Sequence, residues 1–149
     1  MKIPFYLITP EKIVYQEEVD SITLPTVDGE ITVLPHHIPL ITALAPGVIT
    51  LKNGTEVHFV SVMDGVVKVD KMGLTVLSAS ADRATELVME QVEKALEDAK
   101  KLAENKKTSE TEFLQAMTLV ARETSRLHAL RRHHSHRGTS ISSDNNSNS

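Results

Sequence analysis

The sequence predicts an α+β chain in which an amino-terminal antiparallel β-sandwich is followed by a carboxy-terminal antiparallel α-helical hairpin. Before about residue 80, β-branched residues dominate and turn signals recur at short intervals, as in sandwiches and barrels. After residue 85, apolar residues follow spacings of three and four, the period of an amphipathic helix. We therefore expect a β-sandwich over residues 1–84, a two-helix hairpin over 85–134 and a disordered polar tail over 135–149.

Turn residues divide the first segment into short strands. The stretch "ITVL" (31–34) is one apolar strand candidate, and "GVITLKNGTEVHFVSV" (47–62) is the strongest hairpin signal. Its Asn53-Gly54 pair suits the positive φ angles of a type I′ turn. The stretch "GVVKVDKMGLTVLSAS" (65–80) predicts another strand pair, with Gly73 in a looser connection.

Two apolar stripes predict the helices. The first contains Val88, Val92, Leu96, Ala99 and Leu102 or Ala103, and the second contains Phe113, Met117, Val120 or Ala121, Thr124 and Leu127. Between them lies the polar stretch "NKKTSETE", where Ser109 and Glu112 have the spacing of a capping box at the start of the second helix. The hairpin should be only marginally stable alone, because its stripes are short and its first stripe is rich in alanine and valine.

Composition excludes several classes of protein. A net charge of -4 argues against general nucleic-acid binding. The apolar stretches are too short for a membrane span or a signal peptide, so we expect a soluble, intracellular chain. The absence of cysteine excludes disulfides and thiolate metal sites and suits a reducing compartment. Nucleophilic catalysis has no support either, since neither a Gly-x-Ser-x-Gly elbow nor a phosphate-binding loop is present, and we expect no catalytic residue and no cofactor.

The stretch "GEITVLPHHIPLITALAPG" (29–47) raises the question of what its adjacent histidines do. His36 and His37 could bind a metal ion together with His58, but adjacent residues on a strand point to opposite faces. A rigid corner against which a partner docks is the favoured interpretation, and a metal-dependent hydrolase built on these histidines is the less favoured one.

Basic residues gather in the second predicted helix. Arg122, Arg126 and Arg131 lie loosely along one side of it. Such a side is most often solvated, and binding to an acidic protein partner is the sharper alternative. The following "HALRRHHSHRG" (128–138) is interpreted as cations that complement the negative end of the helix dipole, with a weak metal site as the alternative.

The stretch "TPEKIVYQEEVDSITLPTVDGEITVLPHHIPLITALAPG" (9–47) resembles the amino-terminal domain of the epsilon subunit of bacterial F-type ATP synthases. The likeness lies in the "TPE" opening, the "GE…VLP.H.PL" corner and the following "PG". The stretch "VSVMDGVVKVDKMGLTVLSASADRA" (60–84) is similar to the family's strand pair and the segment leading into its helices. The resemblance extends over about residues 3–133 in the same order of sandwich and hairpin.

The resemblance implies a non-catalytic subunit of the central stalk. Its sandwich would bind the gamma subunit and the c-ring, coupling proton flow to ATP synthesis at the cytoplasmic face of the bacterial membrane, as a peripheral protein without membrane insertion. By position in the motif, Glu30 and His37 match the stalk and ring contact. The hairpin would extend in some states to reach the catalytic alpha and beta subunits and inhibit ATP hydrolysis, with Arg122, Arg126 and Arg131 as candidate contacts to acidic beta segments.

This chain departs from the family pattern at three places. His36 stands where a small or turn-forming residue is common, and Ile31-Thr32 replaces a more usual aromatic or aliphatic residue followed by glycine. Some members bind ATP through Ile/Leu-Asp-x-x-Arg-Ala, and the matching residues here, 87–92, read "LVMEQV" without the acid and the arginine. We therefore expect no ATP sensing by that motif. A sandwich adaptor for an unrelated partner and a mitochondrial or plastid counterpart of the same subunit are the remaining alternatives.

Overall fold

The computed structural model describes the backbone of residues 1–146 and the side chains of residues 1–137. Ten strands come first in the chain, and two α-helices follow. The strands are β1 (Ile3–Ile8), β2 (Ile13–Val19), β3 (Ser21–Thr26), β4 (Gly29–Val33), β5 (Leu40–Leu44), β6 (Gly47–Asn53), β7 (Glu56–Val62), β8 (Gly65–Asp70), β9 (Gly73–Ser78) and β10 (Ala81–Arg83). A 3-10 turn, Ala84–Glu86, leads to α1 (Met89–Glu104) and α2 (Glu110–Asn146).

The predicted β-sandwich is confirmed. One half contains β10, β7, β6, β3 and β4, and the other contains β5, β8, β9, β1 and β2. The halves are joined through the pair Thr26–Leu44 between β3 and β5. Alternate residues of each strand point inward because successive side chains of a strand face opposite sides; in β1, for example, Ile3, Phe5 and Leu7 are buried. The inward rows of both halves form one continuous apolar core.

Two features of the sandwich depend on contacts between distant parts of the chain. The sheet is antiparallel except where β1 pairs with β9 in parallel, with Phe5 opposite Leu74. The two ends of the strand order, β10 and β2, are tied together by Arg83 of β10. Its guanidinium lies 3.9 Å from the centre of the Tyr15 ring and also donates a hydrogen bond to the Val14 carbonyl. Burial raises the pKa of Tyr15 above its usual value, although the Arg83 cation acts in the opposite direction.

The hairpin between β6 and β7 differs from its predicted turn by one residue. Asn53 pairs with Glu56, so Gly54 and Thr55 form the two-residue loop. Gly54 has φ 64°, whereas Thr55 has a negative φ. Positive φ at the first loop residue alone is the pattern of a type II′ turn, which favours glycine there. The Asn53 side chain instead donates a hydrogen bond to the carbonyl of Glu18.

The helical hairpin is confirmed as well, and its predicted capping box is present. The Ser109 amide donates to the Glu112 carboxylate at 3.3 Å, and the Glu112 amide donates to the Ser109 hydroxyl at 3.2 Å. The first helix begins later than its stripe suggests, because Val88 is extended and half exposed at its amino-terminal boundary. Within the described residues, no helix combines the length and the apolarity needed to cross a bilayer.

Helix α2 buries two of its sides, and the predicted stripe captured only part of this. One side packs on α1, where Leu127 and Leu130 join Val92 and Leu96. The other side packs on the sandwich, where Ala129 is fully buried against Val48, Phe59 and Ala84. The predicted stripe members Phe113 and Met117 remain exposed near the start of α2.

The end of α2 overlaps the predicted tail. The backbone of α2 runs to Asn146, and the disorder that the sequence predicts from residue 135 stays a prediction. No proline follows that would end the helix, and a single glycine such as Gly138 costs only about 1 kcal/mol within one. The remaining residues, 147–149, lie outside the described part of the chain.

Candidate partner interfaces

The histidine corner is built by a tight turn. The His37 amide donates a hydrogen bond to the Leu34 carbonyl at 3.1 Å, so Pro35 and His36 are the central turn residues. His36 has φ 68°, and proline followed by a residue with positive φ is the pattern of a type II turn. Glycine or asparagine is favoured at that second position. This preference explains why a small or turn-forming residue is the common one where this chain has His36. The corner is therefore fixed by proline and by a turn hydrogen bond.

A cleft of about 390 Å³ lies beside this corner. It is lined by the chain start, by the corner and by the β8–β9 turn, including Lys2, His36, Asp70 and Lys71. The His36 Nε2 lies 3.1 Å from the Met1 sulfur, and the His37 Nδ1 lies 2.7 Å from the Ile38 carbonyl oxygen. Charges of both signs line the cleft, and its lining contains no pairing of a nucleophile with a base.

The structure does not bring Glu30 and His37 into direct contact. Glu30 is exposed at the start of β4, opposite Pro25, whereas His37 follows the far end of that strand. At about 3.3 Å per residue, the intervening strand separates them by roughly 10 Å or more. Ile38 and Ile41, just after the corner, are 76% and 73% exposed. A partner that contacts both Glu30 and His37 must therefore cover an extended surface rather than a single pocket.

The proposed metal site is not assembled. His58 lies on β7, where its Nε2 is 3.4 Å from the Glu56 carboxylate, and it does not line the corner cleft. In the part of the chain that the structure describes, no group of three or more histidine, aspartate or glutamate side chains is arranged to hold a metal ion. The hydrolase interpretation therefore has no geometric support.

Arg126 lies at the junction between the hairpin and the sandwich. Its Nε donates to Asp82 Oδ2 of β10 at 2.8 Å, and its Nη1 donates to Glu123 Oε1 at 2.8 Å. The side chain of Glu123 is only 4% exposed, and those of Arg126 and Asp82 are 21% and 27% exposed. The interpretation of this helix side as solvated is therefore wrong for Arg126, because two carboxylates neutralise it.

Arg122 belongs to the same cluster. Its Nε lies 3.4 Å from Glu123 Oε1. Arg122 and Arg126 line a cavity of about 290 Å³ together with Val88 and Gln91 of the segment 87–92. Both arginines of this cavity already contact carboxylates, and residues 87–92 contribute no cation to it.

Arg131 is separate from that cluster. At about 100° per residue, it lies roughly 140° around the helix from Arg126. It is exposed, and among the described residues it forms no ion pair. The three arginines thus do not form one contiguous surface in this conformation of the chain.

The histidine-rich end of α2 packs over β7. His136 contacts Phe59 edge to face, with ring centres 6.2 Å apart. The pKa of His133 is lowered, first by burial and then by the nearby positive or protonatable groups, which are Arg137, His134, His136 and His58. Protonation of His133 is therefore less favourable when α2 lies on the sandwich.

Sequence reasoning missed Asp82 and Glu123. Glu123 had a local signal, because it precedes Arg126 by three residues and lies between Val120 and Leu127 on the buried side. Asp82 had none, since it is 44 residues from its partner.

Comparisons with known proteins identify relatives. Residues 2–84 match the sequence model of the family described as ATP synthase, delta/epsilon chain, beta-sandwich domain. The ATP synthase epsilon chain of Halalkalibacterium halodurans is 35% identical over 121 residues, which cover 81% of this chain and 91% of that relative. The epsilon chain of Dehalococcoides mccartyi is 41% identical over 103 residues, covering 69% and 71%.

Solved structures share the fold. A chain of the Euglena gracilis mitochondrial ATP synthase superposes with a TM-score of 0.71 at 24% identity, covering 83% of this chain and 78% of that one. A chain of the Tetrahymena thermophila mitochondrial enzyme gives a TM-score of 0.57 at 17% identity, covering 85% and 97%. The order of sandwich and hairpin is thus common to these chains.

Proposed function

Because the chain belongs to the family of ATP synthase epsilon chains, non-catalytic subunits of the central stalk in F-type ATP synthases, we propose that it couples rotation of a proton-driven c-ring to ATP synthesis. The observation that carries the proposal is the family match over residues 2–84, followed by a helical hairpin in the same order. The subunit acts peripherally at the cytoplasmic face of a bacterial membrane, as part of the complex.

In this proposal the corner attaches the sandwich to the rotor. Pro35 and the turn hydrogen bond fix the backbone that carries His37, so little conformational entropy is lost when a partner binds. The exposed Ile38 and Ile41 supply apolar surface beside it, and Glu30 supplies a charge at the other end of β4. Glu30 and His37 contact the gamma subunit and the c-ring across this extended surface.

The hairpin inhibits ATP hydrolysis when it leaves the sandwich. The small apolar contact between α2 and the sandwich, to which α2 contributes Ala129, supports such a movement because little apolar surface is exposed when α2 leaves. When α2 is released, Arg122, Arg126 and Arg131 become available to acidic segments of the catalytic beta subunits. Short-range pairing of guanidinium with carboxylate groups supplies the attraction.

ATP does not control this movement through the family motif. Gln91 stands in place of the arginine of that motif, the neighbouring Glu90 would repel phosphates, and Arg122 and Arg126 contact carboxylates. Isothermal titration of the full chain with ATP is expected to give no binding at micromolar concentrations. Tight, saturable binding would contradict this part of the proposal.

The test of the main proposal is ATP hydrolysis by a head-plus-gamma complex from the same organism that lacks its own epsilon subunit. The full chain is compared with a fragment ending at Ala84, which retains every residue of the sandwich core. We expect both to bind the complex and only the full chain to slow hydrolysis. Failure of both to bind would refute rotor attachment, and binding of both without inhibition would refute the inhibitory role of the hairpin.

A matched pair of variants tests the corner. Replacing His37 with alanine in the full chain is expected to weaken its binding to gamma, whereas replacing the exposed Lys94 of α1 in the same chain should leave binding unchanged. Equal binding of the His37→Ala chain and its parent would argue against a contact at the corner.

A further inference from the structure

We propose that Asp82, Arg126 and Glu123 form an intramolecular latch that holds the helical hairpin against the β-sandwich and withholds Arg126 from acidic partners. The second part rests on the function proposed above, and the first part does not. The latch joins β10, the last strand, to α2 across a separation of 44 residues. It therefore connects the two structural parts of the chain directly.

The contact geometry is that of strong, charge-assisted hydrogen bonds. Both donor–acceptor distances of Arg126 are 2.8 Å, one to each carboxylate. Its guanidinium is mostly shielded from water, and the Glu123 side chain is almost fully buried. Removing one partner from such a cluster leaves a partly buried charge without compensation, which is more costly than losing an exposed pair.

The latch matters because, among the side chains that the structure describes, few others at the junction are apolar. Within residues 1–137, the apolar cluster between α2 and the sandwich contains Val48, Phe59 and Ala84 from the sandwich side and Ala129 from α2. An alanine side chain is a single methyl group, so it contributes little apolar burial. The balance between docked and released hairpin therefore depends strongly on the ion cluster.

The same arginine cannot serve both states. In the docked hairpin, Arg126 donates to Asp82 and Glu123, and Glu123 also lies beside Arg122. An acidic partner segment must replace these carboxylates before Arg126 can bind it. Docking of the hairpin and binding of the partner through Arg126 thus exclude each other. While the latch is closed, the hairpin therefore does not inhibit ATP hydrolysis through Arg126.

The experiment uses the full chain and measures hairpin docking by the distance between two labels. The sequence contains no cysteine, so cysteines introduced at the exposed Thr55 and His128 can carry spin labels without interference. The variants are Asp82→Asn, Arg126→Gln and their combination. The matched control is Arg131→Gln, which removes an exposed arginine of the same helix.

We expect each latch variant to raise the ratio of released to docked hairpin about tenfold, which corresponds to about 1.4 kcal/mol. The double variant should differ from either single variant by less than about twofold, because both remove the same interaction. The control should stay within about twofold of the parent. An unchanged ratio in Arg126→Gln, or an effect of about a hundredfold in the double variant, would overturn the latch.

A further variant distinguishes release of the hairpin from unfolding of the sandwich. Glu123→Gln changes α2 alone and leaves β10 intact, and amide exchange of β1 and β9 reports whether the sandwich remains folded. We expect Glu123→Gln to raise the released fraction with unchanged exchange in those strands. A released fraction equal to that of the parent would count against the latch.

Hydrolysis assays separate this inference from the proposed function. With the head-plus-gamma complex, Asp82→Asn should inhibit at about tenfold lower concentration than the parent, since its hairpin is already released. If the latch variants shift docking but neither they nor the parent inhibits, the latch stands and the inhibitory function fails. If the parent inhibits and Arg126→Gln leaves docking unchanged, the latch fails and the function stands.

Discussion

Replacing His36 with glycine should stabilise the sandwich, although the substitution removes a side chain. His36 has φ 68° at the second central position of the Leu34–His37 turn. A left-handed conformation costs a residue with a Cβ about 1–2 kcal/mol, and glycine adopts it freely. Glycine also makes the unfolded chain more flexible, which offsets about 0.4–1 kcal/mol. The expected net gain in the free energy of unfolding is about 0.5–1 kcal/mol.

Urea denaturation followed by tyrosine fluorescence is the suitable assay. Both tyrosines, Tyr6 and Tyr15, lie in sandwich strands, so the signal reports on this part of the chain. With a slope of about 2 kcal/mol per molar urea, the midpoint of His36→Gly should rise by about 0.3–0.5 M. The exposed His36 side chain packs little, so its loss should not mask this gain.

Two matched variants separate backbone strain from loss of the ring. His36→Ala removes the imidazole but keeps the strained φ, so its midpoint should not rise. His37→Gly places glycine where φ is negative, and it should lower the free energy of unfolding by about 0.5–1 kcal/mol. A His36→Gly midpoint no higher than that of His36→Ala would refute the explanation by strain.

Three other substitutions or conditions test the packing and charge described above. Gly65→Ala should destabilise the sandwich by about 3 kcal/mol in urea denaturation, because an added Cβ would lie 1.8 Å from the Leu77 carbonyl oxygen. Leu130→Ala, at a buried site between the helices, should cost the hairpin about 2–4 kcal/mol by amide exchange, whereas Leu114→Ala at an exposed site should change it by less than 0.5 kcal/mol. Acidification should release α2, because the lowered pKa of His133 means that the released helix binds a proton more readily. The docked state should therefore be fully stable above about pH 6.5 and lose stability as the pH falls below that value. Label distances measure this loss, which should be smaller in His133→Gln. An equal loss in the parent and in His133→Gln would contradict the explanation.

Features set by neighbouring residues were accessible to sequence reasoning. The Ser109–Glu112 capping box was predicted correctly because both of its hydrogen bonds join residues three apart. The β6–β7 hairpin was placed correctly, but its turn was wrong by one residue. An Asn-Gly pair fits more than one register, and the observed register is set by the pairing of β6 with β7 along its length.

Features set by tertiary contact were not accessible. The parallel pairing of β1 with β9 joins the two ends of the sandwich sequence, and no local pattern marks it. The Asp82–Arg126 contact is another example, since it exists only because α2 lies beside β10. Amphipathic spacing predicted one buried stripe on α2, whereas Ala129 and Leu130 are buried against different elements. A helix that packs on two neighbours buries residues on both sides, which a single-stripe pattern does not capture.

Stability is distributed unevenly between the sandwich and the hairpin. The sandwich core draws buried residues from both halves of the sheet, from Ile3 to Val76, and contains no hairpin residue among the side chains that the structure describes. Among the side chains of residues 1–137, the junction with α2 instead includes the Ala129 methyl group, a ring contact and the Arg126 ion cluster. Contacts of this kind are few and locally replaceable, so the hairpin can open at a free energy below that of global unfolding. A partner that supplied carboxylates to Arg126 would therefore change the position of α2 without disturbing the sandwich core, so the proposed attachment and the proposed regulation would use separate parts of the chain.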